Sequence, residues 1–135
     1  MENKNCLFCK IAAKEIPSEV VYEDKKTFAF LDIKPVTPGH VVIIPKFHAE
    51  NIIALPDEEI APLFGTVKKI TALVKEKLKP KGFTIGINHG EVEGVKHIHV
   101  HVIPRYNGDG GRPIQSIAHF SSGEPLSVVR EKLTL

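Results

Sequence analysis

The sequence predicts an α+β domain: a five-stranded antiparallel sheet with one long helix and one or two short ones laid against it. Three observations lead there. Apolar runs of strand length follow one another across short, turn-rich connections, so that neighbours in sequence pair as neighbours in space. One long stretch in mid-chain carries helical apolar spacing instead. The chain has 135 residues, 42% of them hydrophobic, which is enough for one buried core and too little for two.

Each element has a local reason. "NCLFCKIAAKEIP" reads as a short helix, with Asn5 placed to cap its start and Pro17 just beyond its end. "EVVYED" and "TFAFLDI" are short strands separated by charged residues, and so read as a hairpin. "KPVTPG" is a turn by its two prolines and its glycine, and "HVVIIP" after it is a buried strand closed by Pro45. From Asp57 to Leu78 the apolar residues Ile60, Leu63, Phe64, Val67, Ile70, Val74 and Leu78 recur every three or four positions, the signature of an amphipathic helix. Pro62 belongs only in an opening turn, so regular helix is expected to start a few residues after Asp57. "GFTIGIN" is a strand, "HGEVEG" a turn and "VKHIHVHVIP" the last strand. Past Pro104 come a glycine-rich loop, "RYNGDGGRP", and a short closing helix, "EPLSVVREKL". No repeat, linker or low-complexity segment divides the chain, so residues 1–135 read as a single domain.

Composition narrows the function classes. A formal net charge of +2, with the lysines scattered, gives no reason to expect nucleic acid, while a small phosphate-bearing ligand remains compatible. The longest apolar run, "VVII", is far short of a membrane span, and "MENKNCLFCK" lacks the apolar stretch of a signal peptide. The expectation is a cytoplasmic protein with no membrane partner.

Two motifs carry chemistry. The only cysteines, Cys6 and Cys9, form a C-x-x-C pair. In a reducing compartment this is a metal half-site, a redox pair or two inert thiols before it is a structural disulfide. A thioredoxin-type motif would need a strand before it, and only five residues precede Cys6. The second motif is "HIHVHVIPR", which holds three of the seven histidines at alternate positions. Alternation along a strand puts His97, His99 and His101 on one side, roughly 6–7 Å apart, and Ile98, Val100 and Val102 on the other, anchored in the core. A merely solvated face would more naturally carry threonine, lysine or glutamate. A metal site is a second reading, although small β-barrels that ligate metal through H-x-H usually add a glutamate where this chain has Val102, Ile103, Pro104 and Arg105. The third reading is nucleophilic catalysis at phosphorus, since one imidazole can attack as the free base while a neighbour handles a proton.

"HIHVHVIPR" resembles the His-φ-His-φ-His-φ-φ signature, φ being apolar, of the histidine-triad (HIT) superfamily of nucleotide hydrolases and transferases. "CLFCKIAAKEIPSEVVYEDKKTFAFLDIKPVTPGHVVIIPKFH" is similar to the N-terminal half of its Hint-like branch, so the resemblance covers about residues 6–104 and leaves a tail, 105–135, without a counterpart. It implies a HIT-like fold, plausible as a two-fold dimer, that hydrolyses a purine nucleotide conjugate such as a nucleoside 5′-phosphoramidate. His99 would attack the α-phosphorus to give a nucleotidyl-histidine. His101 would contact the phosphate and help the leaving group depart, and histidine at that position, where transferases have glutamine, favours hydrolysis.

The resemblance also assigns the surroundings. Asp32 would accept hydrogen bonds from the ribose hydroxyls, although a carboxylate beside "KPVTPG" also reads as a turn cap. Phe8, Ile11, Phe30 and Ile33 would enclose the base, each also being a natural core residue. Asn88 would lie near the phosphate, and an asparagine that opens a turn also has an ordinary structural use. Gly94 and Val95 stand in the phosphate loop, where the family usually has Gly-Gln-Ser/Thr ahead of Val-x-His. Here Val92, Glu93 and Gly94 replace those three, removing a hydroxyl and adding a negative charge, with only the Gly94 N–H left to offer. Zinc-bearing members imply a structural Cys₂His₂ site from Cys6, Cys9, His48 and His97. His40, His89 and His119 are expected at the surface or in turns. The alternatives are dinucleoside polyphosphate hydrolysis and a nucleotide-binding or interaction module with little catalysis.

Overall fold

The computed structural model describes residues 3–92 and 94–134, the side chain of Glu91 apart. Five strands form one sheet: β1 (Val20–Glu23), β2 (Thr27–Leu31), β3 (Val41–Pro45), β4 (Gly82–Gly86) and β5 (Val100–Arg105). Their spatial order is β1-β2-β3-β5-β4, and every neighbouring pair is antiparallel. The chain crosses the sheet through the long helix, lays down β4 as an edge, and turns back to insert β5 between β3 and β4. Helix α1 (Leu7–Ala12) precedes the sheet, α2 (Asp57–Leu78) is the crossover and α3 (Leu126–Lys132) lies near the C-terminus, with single 3₁₀ turns at Gly90–Val92 and Ile114–Ser116. No described helix is long and apolar enough to cross a membrane.

The sheet is covered on both faces. On one, Leu63, Val67, Ile70 and Val74 of α2 pack on Ala29, Val41, Ile43, Ile98, Val100 and Val102. Phe64 and Leu78, which share the helical spacing, fall to the side of this stripe and stay 38% and 48% exposed. On the other face, Phe8 and Ile11 of α1, with both cysteines, pack on Phe28, Phe30, Val42 and Ile44. This double coverage explains why "VVII" is apolar without alternation: its residues are buried on both sides.

Three local expectations are corrected. Helix α2 begins at Asp57 itself, with Pro62 inside it. The proline forfeits one bond, to the carbonyl of Glu58, whose exposure lets water take its place. Asp57, Glu58 and Glu59 in the first turn favour the positive end of the helix, where Pro56 supplies no side-chain cap. The cap of α1 is Cys6 and not Asn5: the Cys9 N–H donates to Cys6 Sγ at 3.5 Å. The last strand begins at Val100, so His97 and His99 precede the ladder. Ile43 pairs with Val100, and two residues further out the partner would be Pro45, which has no N–H to give. Ile98 N–H bonds to the Ala49 carbonyl instead, at 2.8 Å. The alternation survives nonetheless, with Ile98 buried under α2 and the histidine rings on the α1 side.

Candidate functional site

On the α1 face, four ligand-type side chains converge. Cys6 Sγ lies 3.4 Å from His97 Nδ1, and Cys9 Sγ 3.4 Å from His48 Nδ1 and 3.5 Å from His97 Nδ1. The two Nδ1 atoms are 3.2 Å apart. These separations approach the edges of a tetrahedron whose centre is about 2.0–2.3 Å from each atom, as nitrogen and sulfur bonds to zinc require. The tautomer agrees: His97 Nε2–H donates to the Pro45 carbonyl at 2.8 Å, which leaves the Nδ1 lone pair facing the cysteines. Burial pushes the pKa of His97 down to about 4, keeping the ring neutral, the form a metal needs. Cys6, Cys9, His48 and His97 could therefore hold a metal ion, and α1 together with its cap supplies two of the four.

The next histidine has a different partner. His99 Nδ1–H donates to the His97 carbonyl at 2.7 Å, which makes Nε2 the unprotonated nitrogen. Its ring meets Phe8 edge-on at 4.9 Å and His101 at 5.1 Å between centroids. The backbone thus fixes both the orientation and the tautomer of this base.

His101 belongs to a third arrangement, which brings in a residue that sequence reasoning missed. The Val36 N–H donates to His40 Nδ1 at 3.3 Å, so the proton of His40 sits on Nε2. That nitrogen lies 2.9 Å from His101 Nδ1 and 3.6 Å from Asp32 Oδ2. The chain of donors leaves His101 with its own proton on Nε2, the nitrogen away from His40. Burial, aided by the neighbouring histidines, pushes the pKa of His101 down to about 4, and burial also lowers His40 against the pull of Asp32. His40 is thus no surface or turn residue, since it is only 3% exposed. Its parity with Val42, whose partner across the sheet is His101, was the signal available. The pairing of β3 with β5 is what turns that parity into contact.

The other expected residues are placed unevenly. Phe8, Ile11 and Phe30 are buried together beside His99, with Val95 packed at their margin. Asp32 sits at the end of β2, where its Oδ1 accepts the Lys34 N–H at 2.9 Å. Ile33 is 88% exposed in the following loop, outside that cluster. Asn88 and Gly94 are exposed, Gly94 with φ +75°. Glu93 lies outside the described residues. His89 and His119 are exposed, as expected.

The chain that carries this arrangement is similar along most of its length to known proteins. The chain is 36% identical over 135 residues to an adenosine 5′-monophosphoramidase of Candida albicans, covering 96% of this chain and 89% of that one. The crystal structure of a HIT family protein from Bacillus anthracis superposes with a TM-score of 0.83 at 38% identity, covering 96% and 93% of the two chains. That of a zinc-bound histidine triad family protein from Mycobacterium smegmatis does so with a TM-score of 0.73 at 38% identity, covering 78% of each. The model of the HIT domain matches residues 13–108, and the chain belongs to that family.

Proposed function

We propose that this protein hydrolyses purine nucleoside 5′-phosphoramidates or related nucleotide conjugates through a nucleotidyl intermediate on His99. The observation that carries the proposal is the bond from His99 Nδ1–H to the His97 carbonyl, because it leaves Nε2 as a fixed nucleophile. The similarity to an adenosine 5′-monophosphoramidase supports the substrate class. Phe8, Ile11 and Phe30 would enclose the base, with Ile33 closing over it from its loop. Asp32 would take the ribose hydroxyls, and Asn88 with the backbone of Gly94 and Val95 would line the phosphate.

The His99 Nε2 lone pair forms a bond to the α-phosphorus while the bond from phosphorus to the leaving nitrogen breaks. That nitrogen takes a proton from His101 Nε2. The bound phosphate, being anionic, opposes the burial that lowers His101, so that the His40–His101 pair takes up one further proton before this step and is left neutral after it. Water then adds its oxygen to phosphorus and returns a proton to His101, releasing the nucleoside monophosphate and restoring the His99 lone pair.

Cys6, Cys9, His48 and His97 would hold zinc, for which the zinc-bound relative offers support. With four protein ligands and no open position, the ion would supply rigidity between α1 and the histidine row, and no step of the reaction. We read the protein as a cytoplasmic homodimer. Among the described residues no strand lies beside the outer edge of β4, and an antiparallel edge is self-complementary about a two-fold axis.

Rapid quench with adenosine phosphoramidate labelled in its nucleotide tests the mechanism. Native protein should yield a covalent nucleotidyl species, and His99→Ala none. Tight nucleotide binding by calorimetry without any covalent species in the native protein would leave only a binding module.

A further inference from the structure

The histidine row ends at His101, but the same face of the sheet continues. Beyond it along β5 come Ile103 and Arg105, and beside them on β4 stands Thr84, the partner of Ile103. A cleft of about 270 Å³ opens here, roofed by the loop that leaves β5 and flanked by Val36. Val36 is also the residue whose N–H holds His40, and through it His101. The cleft therefore abuts the phosphate-handling pair, at the end of the row away from Phe8, which touches His97 and His99.

The walls are preformed. Arg105 is bound by Asp109 through Nε at 2.8 Å and Nη2 at 3.2 Å, and donates through Nη1 to Thr84 Oγ1 and the Arg112 carbonyl. Asp109 also accepts from the Tyr106 and Gly111 N–H groups. A Cβ at Gly111 would stand 2.6 Å from Arg105 Nη2, so any larger residue there would make the guanidinium shift. Thr37 Oγ1–H to the Pro104 carbonyl and Tyr106 O–H to the Pro38 carbonyl tie the loop before β3 to the same rim.

Charge in this cleft is unbalanced. Asp109 neutralises Arg105, whereas Arg112 lines the cleft, is exposed, and has no hydrogen bond or ion pair for its guanidinium among the described residues. Val36 and Ile103 make the part nearest His101 apolar. We propose that this cleft is the leaving-group subsite, shaped for an apolar body that ends in an anionic group reaching Arg112. The proposal rests on the hydrolase reading above, with the base against Phe8 and the phosphorus between His99 and His101. A leaving group displaced from the phosphorus then extends along β5. Carboxylate and phosphate ends share this chemistry.

The test compares adenosine 5′-phosphoramidates of 4-(2-aminoethyl)benzoate and of phenethylamine, which differ only in the distal carboxylate. Native protein should favour the benzoate conjugate by about five- to tenfold in kcat/KM, the range of one charge-assisted contact partly open to solvent. Arg112→Ala should bring that ratio to about one, and Arg112→Glu should invert it. The conjugate of tyramine O-phosphate is the phosphate-ended arm: a greater loss there than with the benzoate conjugate on Arg112→Glu assigns the subsite to phosphate ends. A native ratio of one, or one unmoved by Arg112→Glu, overturns the subsite. If native protein cleaves neither conjugate, the hydrolase reading is what fails. The same two intact conjugates are then compared by calorimetry, where equal affinities overturn the subsite and a carboxylate preference lost in Arg112→Glu upholds it.

Discussion

The donor chain from the Val36 N–H through His40 to His101 makes a specific prediction about a side chain that need not touch the nucleotide. His40→Ala removes the donor 2.9 Å from His101 Nδ1. The proton of His101 is then free to move to Nδ1, turning Nε2 from a donor toward the phosphate into a lone pair. One hydrogen bond between largely buried neutral groups is worth about 1–2 kcal/mol, so kcat on adenosine phosphoramidate should fall about 5- to 30-fold, with a smaller change in KM. Because His40 is buried, the alanine also leaves a cavity, and a lower Tm would not by itself distinguish positioning from packing. His40→Gln does so, since its amide N–H can reach the place of Nε2 and should recover most of kcat. Nitrogen-15 NMR of the imidazoles reads the tautomer directly, with native His101 protonated at Nε2. The reasoning fails if His40→Ala keeps kcat within about twofold of native, or if native His101 carries its proton on Nδ1.

Two further predictions concern assembly. Metal analysis of protein prepared without chelator should find about one zinc per chain, and Cys9→Ser should lose it together with about 10 °C or more of Tm; a native preparation holding none would remove the zinc assignment. Sedimentation should give about twice the 14.9 kDa of one chain, with the β4 edge buried between copies, and a species at the single-chain mass throughout the micromolar range would reject the dimer.

The parts of this site legible in the sequence are those governed by short-range periodicity. The alternation of "HIHVHVIPR" separates the rings from Ile98, Val100 and Val102 whatever the strand pairs with, and the structure keeps that separation even where the ladder has ended at Pro45. The spacing of Leu63, Val67, Ile70 and Val74 likewise finds the face of α2. What escaped depends on register between distant segments. His40 beside a turn reads as a turn residue until β3 is known to lie against β5, and Cys6 caps α1 because its sulfur faces back over its own helix. The Cys6, Cys9, His48 and His97 group came from family resemblance, not from spacing, because no local rule links residue 6 to residue 97. Pro62 misled in the other direction, a local rule overridden by a helix that packs along most of its length on the sheet.

The contact between Cys6 and His97 spans 91 positions of sequence. Bringing the ends of such a loop together costs about 4 kcal/mol of chain entropy before any contact repays it, and β4 has no strand to pair with until β5 lies beside β3. During synthesis, the early strands and α2 can condense while the histidine row is still missing. The reactive imidazoles thus join late, and a chain that has not yet docked β5 carries none of the chemistry that the finished one does.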